Sequence, residues 1–126
     1  MNSRQNFSTA RVPRTTAVFP HAVVANGFIF VSGTTGIHPS TGQLSDSFEE
    51  QARQAFRNIN TILGEMGSGL DKIVKTTVFM VTGNDFAILN RVYLEVFPEN
   101  APARSTPQVM PFPAGILISI ECIALV

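Results

Sequence analysis

The spacing of hydrophobic residues changes along the chain, and each change marks a predicted element. Residues 22–24 and 28–32 are rich in β-branched and aromatic side chains, and the pair Asn26-Gly27 between them is a strong signal for a β-hairpin. Residues 72–81 have the same β-branched character and predict a further strand. These three segments therefore predict the beginning of a β-sheet.

Two other segments have helical spacing. A capping-box pattern begins at Ser47, apolar residues then recur at every third or fourth position, and Gly67 can end the helix in a left-handed conformation. Asn84 or Asp85 can cap a second helix that runs through Phe97. Both helices have an apolar face that must pack against another layer.

The remaining extended segments, 104–110 and 116–126, complete the order strand-strand-helix-strand-helix-strand-strand. The first ten residues are polar and are predicted to be flexible, and residues 11–20 carry two prolines, which suits an irregular approach to a sheet edge. Residues 1–126 are therefore predicted to form one α+β domain, in which two helices pack on a mixed sheet.

The last predicted strand is apolar on both faces. Alternate residues from Ile116 to Ala124 line one face and those from Leu117 to Leu125 line the other. Two helices can cover only one face of such a sheet, so the second face is expected to pack against a partner subunit. Ten phenylalanines and a mean hydropathy of +0.20 agree with a homo-oligomer.

The composition argues against several classes of function. Nine Lys and Arg residues balance nine Asp and Glu residues and are scattered, so the chain has no basic stripe for a nucleic acid. No apolar run approaches the ~20 residues of a membrane span, and the N-terminus lacks the apolar core of a secretory signal. One cysteine and two histidines supply no convincing metal set. We expect a cytoplasmic protein with no nucleic-acid or membrane partner.

Glu121 and Arg104 are the first candidates for chemistry. A carboxylate between Ile120 and Cys122 is expected to be desolvated, which suits a general acid or base. A surface glutamate at a strand edge, or half of a structural ion pair, is nevertheless the commoner explanation. Arg104 follows Pro102 at a loop-to-strand entry, where a guanidinium can grip a carboxylate through two hydrogen bonds. From spacing alone, the default interpretation is that Arg104 is a solvated residue or the structural partner of Glu121.

Weaker signals accompany these two residues. His21 enters the first strand after Pro20 and could line a cleft, although a structural imidazole is more common. The segment from Ser32 to Gly36 matches no phosphate-loop pattern, but its backbone N–H groups could face an anion. Thr106 offers a hydroxyl, but the sequence shows no base that would make it a nucleophile.

Several ordered blocks resemble the Rid family (YjgF-type, reactive intermediate deaminases) over residues 18–126. The matching blocks are Phe30-Val31-Ser32-Gly33, Pro39-Ser40-Thr41-Gly42, 51–59, 73–79, Asp85 with Asn90 and Tyr93, Pro102-Ala103-Arg104-Ser105-Thr106, and 118–124. The resemblance implies a chorismate-mutase-like two-layer sandwich, with a mixed six-stranded sheet and two helices on one face. It also implies a homotrimer with clefts between subunits.

The resemblance assigns roles to particular residues. Arg104 would bind the carboxylate of a small substrate, and Glu121 would position and deprotonate a water that hydrolyses an imine or enamine. The other ligand-holding positions of the family fall on Ser32, Gly33, Asn90 and the backbone near Thr106. No cofactor is implied, since the substrate already carries its reactive C=N bond.

Three positions depart from the best-known enamine/imine deaminase pattern. That subgroup commonly has tyrosine where this chain has His21, glutamine where it has Thr34, and cysteine where it has Thr106. His21 and Thr106 are then candidates to relay or anchor the attacking water.

The short segments around His21 and Ser32 resemble those of 2-aminomuconate deaminases, so a pathway-specific substrate is one alternative function. A non-catalytic trimer that binds small carboxylates is another. Members of the family have also been described as ribonucleases or chaperone-like proteins, and the neutral net charge argues only against strong RNA binding.

Overall fold

The computed structural model, which describes residues 3–13 and 18–126, has two helices on one face of a mixed, open sheet. The strands are β1 (Arg4–Phe7), β2 (Ala22–Ala25), β3 (Phe28–Thr34), β4 (Ile73–Val81), β5 (Ala103–Ser105), β6 (Gln108–Val109) and β7 (Ile118–Leu125). The helices are α1 (Phe48–Glu65) and α2 (Phe86–Val96), with short 3-10 turns at Leu70–Lys72 and Pro113–Gly115. The strand order is β1-β2-β3-β7-β4-β5, and β6 also pairs with β4. β5 and β6 run parallel to β4, whereas the other pairs are antiparallel. This is the predicted α+β sandwich with two helices on one face. The sheet has seven strands and not the six that the resemblance implies, because Arg4–Phe7 pairs with β2 and the predicted strand over 104–110 is divided into two.

Local sequence signals set the ends of these elements. Asn26 (φ 53°) and Gly27 (φ 82°) both adopt left-handed conformations and join β2 to β3. The Ser47 hydroxyl accepts a backbone N–H of the first turn of α1 at 3.2 Å. At the second helix the cap is Asp85, whose carboxylate accepts a backbone N–H at 2.7 Å. The predicted hairpin and both predicted helices are therefore confirmed.

The N-terminal segment differs from the prediction of flexibility. Arg4–Phe7 pairs antiparallel with β2 and forms one edge of the sheet. Its order comes from backbone hydrogen bonds to the neighbouring strand and from the half-buried Phe7, while its polar side chains give no signal for a strand. Residues 1–2 and 14–17, which belong to the predicted flexible and irregular segments, lie outside the described residues.

The predicted strand over 104–110 is interrupted at Pro107. Proline has no N–H to donate to a ladder, and the Pro107 carbonyl instead accepts the N–H of Met80 at 3.0 Å. The segment therefore becomes the two short strands β5 and β6, separated by Thr106 and Pro107.

The hydrophobic core lies between the helices and one face of the sheet, and the other face is open. Ile29 and Ile120 are fully buried on the helix side. On the opposite side Phe28, Phe30 and Leu125 are 36%, 43% and 43% exposed. β7 has apolar residues on both faces, as predicted, and none of the other described elements forms a layer over its outer face.

A charged network joins the exposed sides of α1 and α2. Arg53 donates to Glu95 (3.1 Å) and to Glu49 (3.0 Å), and Arg91 also contacts Glu49. Hydrogen bonds from Arg53 lower the pKa of both Glu49 and Glu95. The network is solvent-exposed, so its contribution to stability is expected to be small.

We expect Arg53→Met to lower Tm slightly near neutral pH, and we expect this difference to shrink progressively as the pH falls below about 4.3, the ordinary pKa of glutamate. A carboxylate whose pKa is lowered in the folded state stabilises the fold above its unfolded pKa, and this stabilisation is lost as the pH falls. Thermal melts of the variant and the wild type from pH 3 to pH 8 measure this difference in Tm. Arg57→Met is the control, because Arg57 forms no ion pair within the described residues. An equal Tm difference at every pH would contradict the prediction.

Candidate functional site

A β-bulge lies at Ser32 and Gly33, at the start of the segment whose backbone N–H groups were predicted to face an anion. The register between β3 and β7 shifts by one residue here. A Cβ atom added to Gly33 would lie 2.7 Å from the Ser119 hydroxyl oxygen, so a larger residue would displace that hydroxyl. The Ser32 hydroxyl donates to the Pro20 carbonyl at 2.8 Å. The bulge thus places the Gly33 backbone directly beside Ser119.

His21 lies beneath this bulge and holds the N-terminal segment in place. It is buried, and its Nδ1 accepts the N–H of Thr9 at 3.1 Å, which puts the ring proton on Nε2, 3.4 Å from the Pro13 carbonyl. Its own carbonyl accepts the N–H of Ser32 at 2.9 Å. A cavity of about 20 Å³, enough for roughly one water, is bordered by His21 and Gly33. The geometry gives His21 a structural role, and its predicted part in water relay stays a prediction.

Glu121 projects from the outer face of β7, opposite Thr77 of β4. It is exposed, so the expectation of a desolvated carboxylate is wrong for the single chain, because no second layer covers this face. A pocket of about 150 Å³ beside it is bordered by Phe30, Lys75 and Ile123. Glu121 is therefore accessible from the outer face to a ligand or to another subunit.

The neighbouring Cys122 faces the core and takes no part in this chemistry. Burial, with the negative charge of Glu121 as a second cause, raises the pKa of its thiol to about 12. The thiol is therefore protonated at neutral pH, and a protonated thiol is a poor nucleophile. This agrees with the inert, buried cysteine that the sequence predicts.

Arg104 lies on β5 at the opposite edge of the sheet from β1. Its Nη2 donates to the Asn90 side-chain oxygen at 2.8 Å, and its guanidinium carbon lies 4.8 Å from the centroid of the Tyr93 ring. The Tyr93 hydroxyl is 2.8 Å from the Thr76 hydroxyl. Burial raises the pKa of Tyr93, against the opposing effects of that hydrogen bond and of the Arg104 charge, so the phenol is neutral. Two residues of the helix side thus fix the orientation of the guanidinium.

Arg104 and Glu121 lie on opposite faces of the sheet. Arg104 pairs with Thr76, which is buried on the helix side, whereas Glu121 pairs with Thr77 on the outer side. One strand, β4, also lies between β7, which carries Glu121, and the edge strand β5. One chain does not bring these two side chains together.

The predicted site residues therefore form two groups within one chain. Ser32, Gly33 and His21 lie close to Ser119, which precedes Glu121 by two residues on the same face of β7. Arg104 and Asn90 form the other group, and Thr106 is half-buried two residues beyond Arg104. A site that uses all of them requires two copies of the chain.

A larger recess opens next to Gly33 and Ser119. Its volume is about 580 Å³, which is within the usual range for small-molecule sites. The side chains that border it are mostly apolar: Phe19, Ile37, Phe112, Pro113, Ala114 and Ile116. Sequence patterns did not predict this recess, because its walls come from loops that are far apart in the chain.

Two buried amide side chains of α1, which the sequence analysis did not single out, hold these loops. Gln51 donates to the carbonyl of Gly115 at 3.0 Å and accepts the N–H of Leu117 at 2.9 Å. Asn58 donates to the carbonyls of Thr35 (3.0 Å) and Ile37 (2.9 Å).

The seven-residue spacing of Gln51 and Asn58 could have revealed them. It places both amides on one helix face, within the apolar stripe of α1. A polar residue in such a stripe must find a hydrogen-bonding partner, since burial without one is costly.

Over the described residues, no group of three or more His, Cys, Asp or Glu side chains is arranged to hold a metal ion. No helix in the same part of the chain has the length and apolar character needed to cross a bilayer.

Comparison with known proteins identifies relatives along nearly the whole chain. A family model described as endoribonuclease L-PSP matches residues 9–126. Human 2-iminobutanoate/2-iminopropanoate deaminase is 39% identical over 123 residues, which are 97% of this chain and 90% of the relative. The chloroplastic Reactive Intermediate Deaminase A of Arabidopsis thaliana is also 39% identical, over 118 residues; these cover 93% of this chain and 63% of the relative's length.

Solved structures give the same fold. The crystal structure of RidA from the Antarctic bacterium Psychrobacter sp. PAMC 21119 superposes with a TM-score of 0.90 at 34% identity, and the match covers 97% of this chain and 99% of that one. The fold implied by the resemblance is therefore confirmed by the structure of this chain and by the solved structures that superpose on it.

Proposed function

This chain belongs to the Rid (YjgF) family, and on that premise we propose that it hydrolyses 2-imino and 2-enamino carboxylic acids to 2-keto acids and ammonia. The observation that carries the proposal is the arrangement of Arg104 and Glu121. Both side chains are accessible, and they lie on opposite faces of one sheet. This arrangement suits a site in which one copy of the chain supplies Arg104 and another supplies Glu121.

In the proposed site, Arg104 of one copy binds the substrate carboxylate. The guanidinium offers several N–H donors in a fixed plane, and the contacts with Asn90 and Tyr93 orient it before the substrate arrives. Such preorganisation reduces the entropy that binding must otherwise cost.

Glu121 of the neighbouring copy supplies the base. An enamine first tautomerises to the imine, whose carbon is electrophilic. Glu121 takes a proton from water, the water oxygen bonds to that carbon, and the C=N electron pair moves to nitrogen. The carboxyl then returns this proton to nitrogen, which gives the carbinolamine. The same carboxylate next takes the proton of the carbinolamine hydroxyl and passes it to the nitrogen, and the C–N bond breaks as ammonia leaves and the C=O bond forms. The net reaction adds one water and releases one ammonia.

The proposed assembly is a homotrimer in which the outer faces of the sheets meet. Phe28, Phe30 and Leu125 on that face are too exposed for a chain that remains alone, because contiguous apolar surface marks an interface. The same association would cover Glu121 and supply the desolvation that the single chain lacks.

The basic test generates imines in situ with a broad-specificity L-amino-acid oxidase and catalase. We expect the protein to speed the release of ammonia and keto acid and to compete with semicarbazide, which traps free imines. If no imine or enamine is turned over, deamination is excluded. A rise in Tm with small carboxylates would then favour the binding-only alternative, whereas turnover of 2-aminomuconate alone would favour a pathway-specific deaminase.

We expect inactive Arg104→Ala and Glu121→Gln chains to restore activity when they are mixed. In a ring of randomly assorted subunits, a site is functional when one copy retains Glu121 and the next copy retains Arg104. Equal mixing makes each condition true about half of the time, so about a quarter of wild-type activity should return.

The mixing experiment unfolds and refolds the two variants together and then measures imine hydrolysis. Each variant refolded alone is the control for residual activity, and refolded wild type gives the full value. Activity no higher than the average of the two separate variants would contradict a site shared between copies.

A further inference from the structure

We infer that the recess bordered by Phe19, Ile37, Phe112 and Ile116 receives the substrate's side chain, and that this chain therefore acts on imino acids with large apolar side chains. This inference rests on the proposed function and specifies its substrate class. The names of the deaminase relatives refer to imino acids with side chains of one and two carbons, so a preference for larger side chains would distinguish this chain from them.

The chemistry of the walls selects an apolar group. Phe19, Ile37, Phe112 and Ile116 border the recess, and short groups such as Thr35 and Ser119 supply its polar side chains. Within residues 3–13 and 18–126, no charged side chain borders it. A charged or strongly polar substituent would lose its hydration there without gaining a partner, whereas a branched alkyl or phenyl group would be buried favourably.

The position of the recess along β7 suits a side chain attached to the reacting carbon. Ser119 borders the recess and lies two residues before Glu121 on the same face of the strand. Two residues of extended strand span about 6.6 Å. A leucine- or phenylalanine-sized side chain has a comparable length, so a substrate whose reactive carbon is near Glu121 would place its side-chain tip inside the recess.

The recess is also held open by the fold. Asn58 fixes the carbonyls of Thr35 and Ile37 on one wall, and Gln51 fixes Gly115 and Leu117 beside the other. Both amides are almost fully buried, so water competes little for these hydrogen bonds. A preformed recess needs no rearrangement when a large side chain enters.

The experiment compares kcat/KM for the imines of leucine, phenylalanine, alanine and glutamate, generated as above. We expect the wild type to prefer the leucine and phenylalanine imines to the alanine imine by about tenfold or more, since each buried methylene contributes about that scale of selectivity. The glutamate imine should be a poor substrate. This comparison requires no variant.

Two variants that fill the recess from opposite walls, Ile37→Trp and Ile116→Trp, test the location. Each should reduce the ratio of kcat/KM for the leucine imine to kcat/KM for the alanine imine about tenfold relative to wild type. Asn60→Trp, on the exposed side of α1, is the matched control. Melting temperature and solution mass are measured for each variant.

The outcomes separate the two proposals. A wild type that hydrolyses the alanine imine as well as or better than the leucine imine overturns the recess inference and leaves the deaminase proposal intact. A tryptophan variant with unchanged selectivity, or one whose main effect is a smaller solution mass, shows that the recess holds something other than substrate and also overturns the inference. If the wild type turns over no imine at all, the proposed function fails and the inference fails with it.

Discussion

Replacing Glu121 with glutamine is expected to lower kcat for imine hydrolysis by about 10²- to 10⁴-fold and to leave KM nearly unchanged. Glutamine has almost the same size and can still hold a water by a hydrogen bond, but it cannot accept the proton that the water must lose. The loss therefore appears only when the transition state forms, which is the signature of a lower kcat at constant KM.

The control for this variant is Glu99→Gln, which removes an exposed carboxylate from the loop that follows α2. It should behave as wild type. Steady-state kinetics with the in-situ imine assay give both constants, and solution mass shows whether the assembly is intact. A Glu121→Gln enzyme that keeps more than about a tenth of the wild-type kcat would contradict the role of general base.

Replacing Arg104 with alanine should act on binding instead. Removing one partner of a desolvated, hydrogen-bonded charge pair costs about 2–5 kcal/mol, or roughly a 30- to several-thousand-fold loss in kcat/KM. Because the carboxylate is held both before and during the reaction, the loss should appear mainly as a higher KM. Arg104→Lys should recover only part of it, since lysine retains the charge but not the planar set of donors that stacks on Tyr93.

Esters or amides of the substrate provide the internal control for Arg104. An uncharged substrate gains little from the guanidinium, so the wild type and Arg104→Ala should hydrolyse its imine at similar rates. Arg57→Ala, which removes an exposed arginine on α1, controls for net charge. Equal losses for charged and uncharged substrates would show that Arg104 supports the fold of the site and does not bind the carboxylate.

Local signals were sufficient wherever neighbouring residues decide the structure. The Asn26-Gly27 pair specifies a tight hairpin because both residues accept positive φ, and Ser47 and Asp85 start helices because their side chains satisfy free N–H groups of the first turn. Contacts of this kind join residues that are two or three positions apart, so the sequence contains all of the information.

Contacts between distant segments were not predictable in the same way. By spacing, Gln51 and Asn58 belong to the apolar stripe of α1. Their hydrogen-bond partners become known only when the 35–37 loop and residues 115–117, which are 64 to 66 positions from Gln51, pack against this helix. β1 is a similar case, because its order comes from pairing with β2 and not from its own polar side chains.

The pattern of hydrophobic residues by itself determined that β7 has two apolar faces and that two helices could cover only one of them. From spacing alone, Arg104 and Glu121 were each more readily structural residues than catalytic ones, and only the blocks that resemble the family made them a candidate site. Only the tertiary structure decided that these two side chains lie on opposite faces of the sheet, that Glu121 is exposed in the single chain, and that His21 is fastened to the N-terminal segment. The physical reason is that strand register, which places each side chain on one face or the other, is set by pairing between segments that are distant in the sequence.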